Sequence, residues 1–248
     1  MELRRFRSDC HIHSCLSPCG ELTMPPRAIV ERALAAGLDI IAVTDHNATE
    51  NSPAAKQAAH GSGLVVLGGV EATSEEEVHI LGLFEPETDL RPIQSVIYDN
   101  LPDMPSKRKF IKDQVIVDAE DGVTGFNGRC LFAATRLPVH ALVDLVHEHG
   151  GLAVASHVDR QSFSVISQLG FVPPDLALDA VEVSPMVPPA EALATFGSAT
   201  GLPVVRFSDA HRPEEIGAAV TEFILAAPSL AEIRLALAGA DGRRVELP

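Results

Sequence analysis

Gly37-Leu38-Asp39-Ile40-Ile41-Ala42-Val43-Thr44-Asp45-His46 is the stretch from which the fold can be read. A short apolar run, opened by a glycine and rich in β-branched side chains, ends in two polar residues. Such a run reads as a buried strand that delivers its last side chains to a rim. Just before it, Pro25 to Ala36 carries an apolar stripe at helical spacing, with Pro26 near its start and Gly37 as its stop.

The same grammar recurs along the chain. Gly63 to Val70 reads as a strand ending at Glu71, and Gly151 to Ser156 as one ending at His157. Asp179 to Val183 is another, and Leu202 to Ser208 ends at Asp209. Helical patterns fall between them at Ser52 to His60, Pro138 to His149 and Pro189 to Thr200, with Ser229 to Ala238 last. Strand and helix in alternation imply a parallel sheet with helices outside. With strands near Phe6 to His11 and Ala218 to Leu225 the count reaches about seven, enough to close a barrel. Residues 86–136 break the pattern with proline, charge and no clear βα unit. Within them, residues 114–117 and 123–126 flank Asp121-Gly122 as a hairpin would. This segment is expected to be an insertion over the barrel mouth, either a lid or a surface excursion, within a single domain spanning 1–248.

With 248 residues and 46% hydrophobic content, the chain can bury one large core. A net charge of -15 argues against a surface built to coat long nucleic acid. It does not exclude a small phosphorylated substrate, because bound cations reverse the local field inside a cleft. Cys10, Cys15, Cys19 and Cys130 form no CxxC pair, and Met1 to Arg7 lacks the apolar core of a signal segment. No run is long enough to span a membrane, so the expectation is a cytoplasmic protein with reduced thiols. The oligomeric state is not legible.

Ten histidines carry the chemistry, and their placement matters more than their number. His11, His13, His46, His79, His157 and His211 stand at or just beyond the end of apolar runs, whereas His60, His140, His147 and His149 read as surface residues. In a parallel barrel the carboxyl ends of the strands converge on one face, where the active site forms. Glu71 and Asp209 reach that face by the same reasoning, with Asp9 and Asp45 one step away. His11-Ile12-His13 on an extended segment points both imidazoles one way, so one ion can take both. Asp209-Ala210-His211 pairs a carboxylate with an imidazole likewise, and Glu71 can bridge two ions through its two oxygens. Imidazole and carboxylate together suit Zn, Mn or Fe.

His11-x-His13, Thr44-Asp45-His46, Glu71, His79, His157 and Asp209-x-His211 occur in the order of the PHP (polymerase and histidinol phosphatase) superfamily motifs. The run Asp9 to Gly20 resembles a bacterial subgroup of PHP-type phosphoesterases. The resemblance implies a distorted (β/α)7 TIM-like barrel holding two or three divalent ions. It assigns His11, His13, Glu71 and Asp209 to one ion, Glu71, His79 and His157 to a second, and His46 with His211 to a third. Many relatives carry Asp or His five residues after the second histidine of HxH, where this chain has Pro18. Either the third ion is weak or absent, or another group such as Cys19 replaces that ligand.

On this reading a water activated by the ions attacks phosphorus. His211 or Asp45 is placed as a general acid, with Asp45 alternatively orienting a neighbouring imidazole. Arg160 is placed to grip phosphate, and Lys107-Arg108-Lys109 to draw in a polyanion if the insertion covers the mouth. Thr44, Asn47 and Ser14 either cap loops or touch substrate, and Glu75-Glu76-Glu77 reads as a solvated hairpin tip. The leading expectation is a phosphoesterase for a phosphomonoester, nucleotide or oligonucleotide end. A C–N hydrolase of amidohydrolase type is disfavoured because no strand end carries the lysine such barrels use. A metal-binding regulatory domain without turnover is disfavoured because the ligands are retained.

Overall fold

A computed structural model describes residues 2–104 and 113–248. Lys107-Arg108-Lys109 lies outside the described residues. Among those described, one mixed sheet of nine strands has the order β11-β10-β1-β2-β3-β4-β7-β8-β9, and β5 and β6 form a separate hairpin. The large sheet comprises β1 (Arg4–Ile12), β2 (Ile40–Val43), β3 (Val65–Thr73), β4 (His79–Phe84), β7 (Leu152–Ala155), β8 (Ala180–Glu182), β9 (Val204–Val205), β10 (Thr221–Leu225) and β11 (Arg244–Glu246). A parallel bridge from Ile12 to Ala210 brings the segment after β9 back beside β1, so the sheet is a nearly closed barrel.

Two strands depart from the all-parallel expectation. β4 pairs antiparallel with both β3 and β7, and is the barrel's seventh stave. Residues 218–225 are not a stave: β10 runs antiparallel along Arg4 to Ser8 of β1 and then pairs with β11. The expected runs at 40–43, 152–155, 180–182 and 204–205 are parallel staves, each shorter than its apolar stretch. β3 runs on through Glu71 to Thr73, and Glu75-Glu76-Glu77 follows as the turn into β4, with Glu77 at a φ of 62°.

Helices cover the outer face. Ile29, Val30 and Ala33 of α1 (Pro26–Ala35) pack on Ile41 and Val43 with Ala55 of α2 (Ser52–Ala58). α3 (Arg91–Asn100), α4 (Val139–Glu148) and α5 (Val165–Leu169) cover β4 and β7 through Ile93, Val143 and Val165. α6 (Pro189–Ala192) runs through a π-helical turn at Leu193–Gly197 into α7 (Ser198–Thr200). Inside the barrel lie Phe6, Cys10, Ala42, Leu67, Leu81, Val154 and Phe207, packed against Leu230 and Ile233 of α8 (Leu230–Leu237). α3 is a helix inside the segment expected to lack a βα unit. The hairpin in that segment is as expected, with β5 (Val115–Val117) and β6 (Val123–Phe126) around Asp121 at a φ of 64°.

A shift of register between Asp9 and Ile12 prepares the site. Strict alternation would put Cys10 and Ile12 on one face, yet Cys10 packs inside the barrel and Ile12 packs outside against α1. Such an irregularity re-aims side chains at a barrel rim, and here it leaves His11 and His13 fully buried at the centre of that rim.

Candidate metal centre

Glu71 is the hub. Its carboxylate lies 3.4 Å from His11 Nε2, 3.5 Å from His13 Nε2, 3.0 Å from His46 Nδ1, 3.0 Å from His79 Nδ1 and 3.3 Å from His157 Nε2. Asp209 Oδ1 lies 3.2 Å from His11 Nε2 and 3.0 Å from His13 Nε2. His211 stacks on His13 with ring centroids 4.4 Å apart, and its Nδ1 is 2.7 Å from the Asp209 carbonyl oxygen. All eight residues read from the sequence as ligands therefore meet at one rim. His79 gets there unexpectedly: it begins β4, so an antiparallel strand brings its amino end to the carboxyl ends of the others.

Four non-glycine residues at this rim sit in the left-handed region, Asn47 at a φ of 50°, His157 at 28°, Phe163 at 60° and Asp209 at 52°. They follow β2, β7 and β9, and each such backbone costs about 1–3 kcal/mol. Asn47 is held there by its side chain, which donates to the Leu131 and Ala133 carbonyls and accepts from Thr73 N. Those bonds tie the loop to the end of the 86–136 segment. Phe132 from that segment then lies against the His46 ring, at 5.3 Å between centroids. On the other side Phe163 stacks on His79 at 4.7 Å.

A second layer of buried groups aims the imidazoles. Glu182 faces His11 Nδ1 at 2.9 and 3.0 Å and accepts from the His157 backbone N–H at 3.1 Å. Asp45 accepts from Ser14 N, Ser14 Oγ and Ser17 Oγ at 2.7, 2.6 and 2.7 Å, and Ser17 Oγ in turn meets His13 Nδ1 at 2.9 Å. Both Asp45 oxygens are thus occupied by protein, and the residue is only 1% exposed. Of the two expectations for Asp45, the geometry goes with the imidazole-orienting one, towards His13 through Ser17, and leaves no oxygen for a general acid. Asp9 is likewise internal, accepting from Ser208 N and Gly217 N, and burial raises its pKa to about 6. Thr44 and Ser14 bond within the loops rather than facing the cavity. Arg160 reaches in from the loop after β7, with a guanidinium nitrogen 2.6 Å from Asp209 Oδ2.

Burial alone would push Glu71 up, but His79, His11 and His46 hold it well below the usual carboxylate range. The imidazoles are driven apart. Burial pushes His13 well below its ordinary value, while for His11 the same burial is outweighed by Glu182, Asp209 and Glu71, which hold it well above. Protons alone leave the cluster unsatisfied. His157 Nδ1 has no hydrogen-bond partner, and His46 Nδ1, though 3.0 Å from Glu71, is out of line for a hydrogen bond. Two ligands about 2.1 Å from one tetrahedral ion stand about 3.4 Å apart, within the range of separations found around Glu71. The donor set therefore fits divalent cations. Donor atoms group as His11, His13 and Glu71, as His46, Glu71 and His79, and as His13, Cys19, His46 and His211.

A cavity of about 170 Å³ sits over the cluster, lined by Glu71, His46, His79, His157, Asp209 and His211 with Phe132, Phe163 and Arg160. A neighbouring cleft of about 640 Å³ shares Cys19, Arg160, Asp209 and His211 and adds Arg212 and Met186. Sequence reasoning missed Glu182, Ser17, Phe132 and Phe163. Glu182 had a legible signal, a lone carboxylate inside the apolar run Ala180-Val181-Glu182-Val183. The other three had none, since their roles depend on which loops meet.

The PHP domain model matches residues 9–168, and a PHP-associated model matches residues 194–238. The chain belongs to the PHP-domain family. Its donors from His11 to His157 fall in the first match, and Asp209 and His211 in the second. Comparison with curated proteins gives no match.

Among solved structures, the PHP chain is similar to the lesion-specific endonuclease Q of Pyrococcus furiosus at 18% identity and a TM-score of 0.70. The alignment covers 98% of this chain but 58% of that one, so the chain spans little more than half the length of that relative. A further endonuclease Q structure, at the same identity and TM-score over 97% of this chain and 58% of that one, holds a 27-mer duplex with an abasic lesion at its active site. A two-domain Bacteroides vulgatus protein containing a predicted PHP-like metal-dependent phosphoesterase aligns at 18% identity and a TM-score of 0.59, over 98% of this chain and 64% of that one. An amidohydrolase from Chromobacterium violaceum aligns at 20% identity and a TM-score of 0.60, over 85% of this chain and 89% of that one. At such identities these likenesses speak for the fold. No helix among the described residues is long and apolar enough to cross a membrane.

Proposed function

We propose that the chain hydrolyses a phosphate ester on a small phosphorylated substrate, a nucleotide or an oligonucleotide end, at a centre of two or three divalent ions. The observation that carries this is the ring of five imidazoles within 3.5 Å of the single carboxylate of Glu71. In this reading His11, His13, Glu71 and Asp209 hold one ion, Glu71, His79 and His157 a second, and His46 and His211 help hold a third. Mn, Fe and Zn all suit these donors. Divalent ions there supply Lewis acidity, lowering the pKa of water and neutralising charge on the phosphoryl oxygens.

The chain's own residues do the rest. Glu182 fixes His11 with its Nε2 turned inward, and Asp45 through Ser17 does the same for His13. Arg160 lines both the cavity and the cleft, so it can release Asp209 and grip a phosphoryl oxygen with its planar fork. Where no third ion is bound, His211, with 27% of its side chain exposed, is the group we place to protonate the leaving oxygen; as a ligand to that ion it has no proton to give. Phe132 and Phe163 limit access of bulk water. We read residues 1–248 as one barrel domain in which the end of the 86–136 insertion, at Phe132, walls the mouth, a reading supported by the contact of Phe132 with His46. The four cysteines, none of them in a disulfide among the described residues, fit a reducing compartment, and we place the protein in the cytoplasm.

The test is a hydrolysis panel with and without added Mn, covering nucleotides, sugar phosphates, histidinol phosphate and short oligonucleotides. Release of phosphate or of a nucleotide, lost on chelation, is the expected result. Cleavage of amides with no phosphate ester turned over would replace this reading with the C–N hydrolase. Metal binding with no turnover of either kind would favour the regulatory one.

A further inference from the structure

Pro18, five residues after His13, has no donor group. Its neighbour Cys19 stands in the pocket instead. The donor atoms of Cys19, His46, His211 and His13 all lie within 4.8 Å of one another. The loop that presents Cys19 is tightly built: Ser17 N–H donates to the Ser14 carbonyl at 3.1 Å, and Gly20 N–H to the Ser17 carbonyl at 3.0 Å. A Cβ at residue 20 would stand 2.2 Å from the Ser14 carbonyl oxygen, so only glycine closes this turn. Glu21 N–H then donates to the His211 carbonyl at 3.0 Å, fixing the loop to the segment that carries His211. Cys19 lines both the cavity and the cleft, whereas Cys10, Cys15 and Cys130 are buried elsewhere.

His13 belongs to the inner group. Its Nδ1 is engaged by Ser17 Oγ, and its Nε2 is the atom that faces Asp209 and His11. Two imidazoles and one sulfur remain for an outer ion, three protein ligands with a fourth position open, the ligand count of catalytic zinc sites. Thiolate is a soft donor that favours zinc or ferrous iron and disfavours manganese and magnesium, whereas the inner positions offer only imidazole and carboxylate, which suit Zn, Mn or Fe.

We propose that Cys19, His46 and His211 form a sulfur-containing outer cation site that selects a thiophilic ion, making the centre mixed in ligand chemistry and in metal preference. The proposal rests on the pocket being a metal centre, and it can fail independently of the activity assigned above.

The probe is Co(II), added to the full chain after chelation. Wild type should show a near-ultraviolet thiolate-to-cobalt charge-transfer band, abolished by equimolar zinc and unaffected by excess manganese. Cys19→Ser should lack the band and bind about one equivalent fewer, the count of one lost site. Cys19→Asp should regain that equivalent without the band. In unmodified wild type, zinc should slow alkylation of Cys19 about tenfold or more, because the bound thiolate is no longer nucleophilic. A cobalt complex without the band, a band persisting in Cys19→Ser, or alkylation indifferent to zinc would overturn the proposal. Phosphate-ester turnover with no band would sink this inference alone. A band in a chain inactive on every ester would sink the phosphoesterase reading alone.

Discussion

Glu182→Gln isolates the buried layer that aims the ligands. Glu182 makes two kinds of contact, one to His11 Nδ1 through both oxygens and one from the His157 backbone N–H. The backbone contact exists with or without ions, so it drops out of a metal-affinity difference. The His11 contact does not, because the metal needs His11 in the tautomer that carries its proton on Nδ1. A hydrogen bond to a charged acceptor contributes about 1.5–3 kcal/mol and one to a neutral acceptor about 0.5–1.5, so the isosteric change forfeits about 1–1.5 kcal/mol. That is about a tenfold loss in affinity for the ion bound by His11, at the lower edge of what such outer groups contribute. The metal-free fold should lose stability as well, because Glu182 leads the groups that hold His11 protonated there, and removing one partner of a buried pair leaves the other uncompensated. Competition against a chromophoric chelator measures the affinity, and thermal unfolding of the metal-free chain measures the stability. An affinity unchanged within about twofold, in a protein that folds normally, would refute the claim that Glu182 orients His11.

Four other perturbations test other parts of the structure. Asp209→Asn and His157→Ala should each abolish turnover while circular dichroism remains that of the folded barrel; full activity in either would remove the proposed site. The purified wild-type chain should carry at least about two equivalents of divalent metal by elemental analysis and lose activity on chelation, a count that follows from the ligand sets. Gly69→Ala places a Cβ 2.6 Å from both the Val43 carbonyl oxygen and Thr44 Cγ2, where β3 packs closely on β2. Unfolding by denaturant should show a loss of about 1–3 kcal/mol from that overpacking; an unchanged midpoint would mean that the two strands are looser than described.

Ser17 and Asp45 show why the supporting layer was only half legible. Asp45 was visible as an acid beside His46, but which way it faced depended on the turn at Ser14 to Gly20, set by long-range packing. Phe132 and Phe163 were ordinary loop aromatics in sequence, and only the approach of the insertion and of the loop after β7 makes them walls of the cavity.

The donors themselves were written in the chain. The acids and imidazoles follow apolar runs whose strand character is a local matter of β-branched content and flanking glycines, and that places them at strand ends without any fold in hand. Strand direction is not local. Residues 79–84 and 221–225 have the composition of staves, yet one is an antiparallel stave and the other an antiparallel flank, because pairing depends on partners distant in sequence. Tertiary structure alone brought His79 to the rim from its strand's amino end and set Glu182 behind His11. Hydrophobic pattern fixes which residues emerge at an edge, whereas distance and orientation between edges exist only once the sheet has closed.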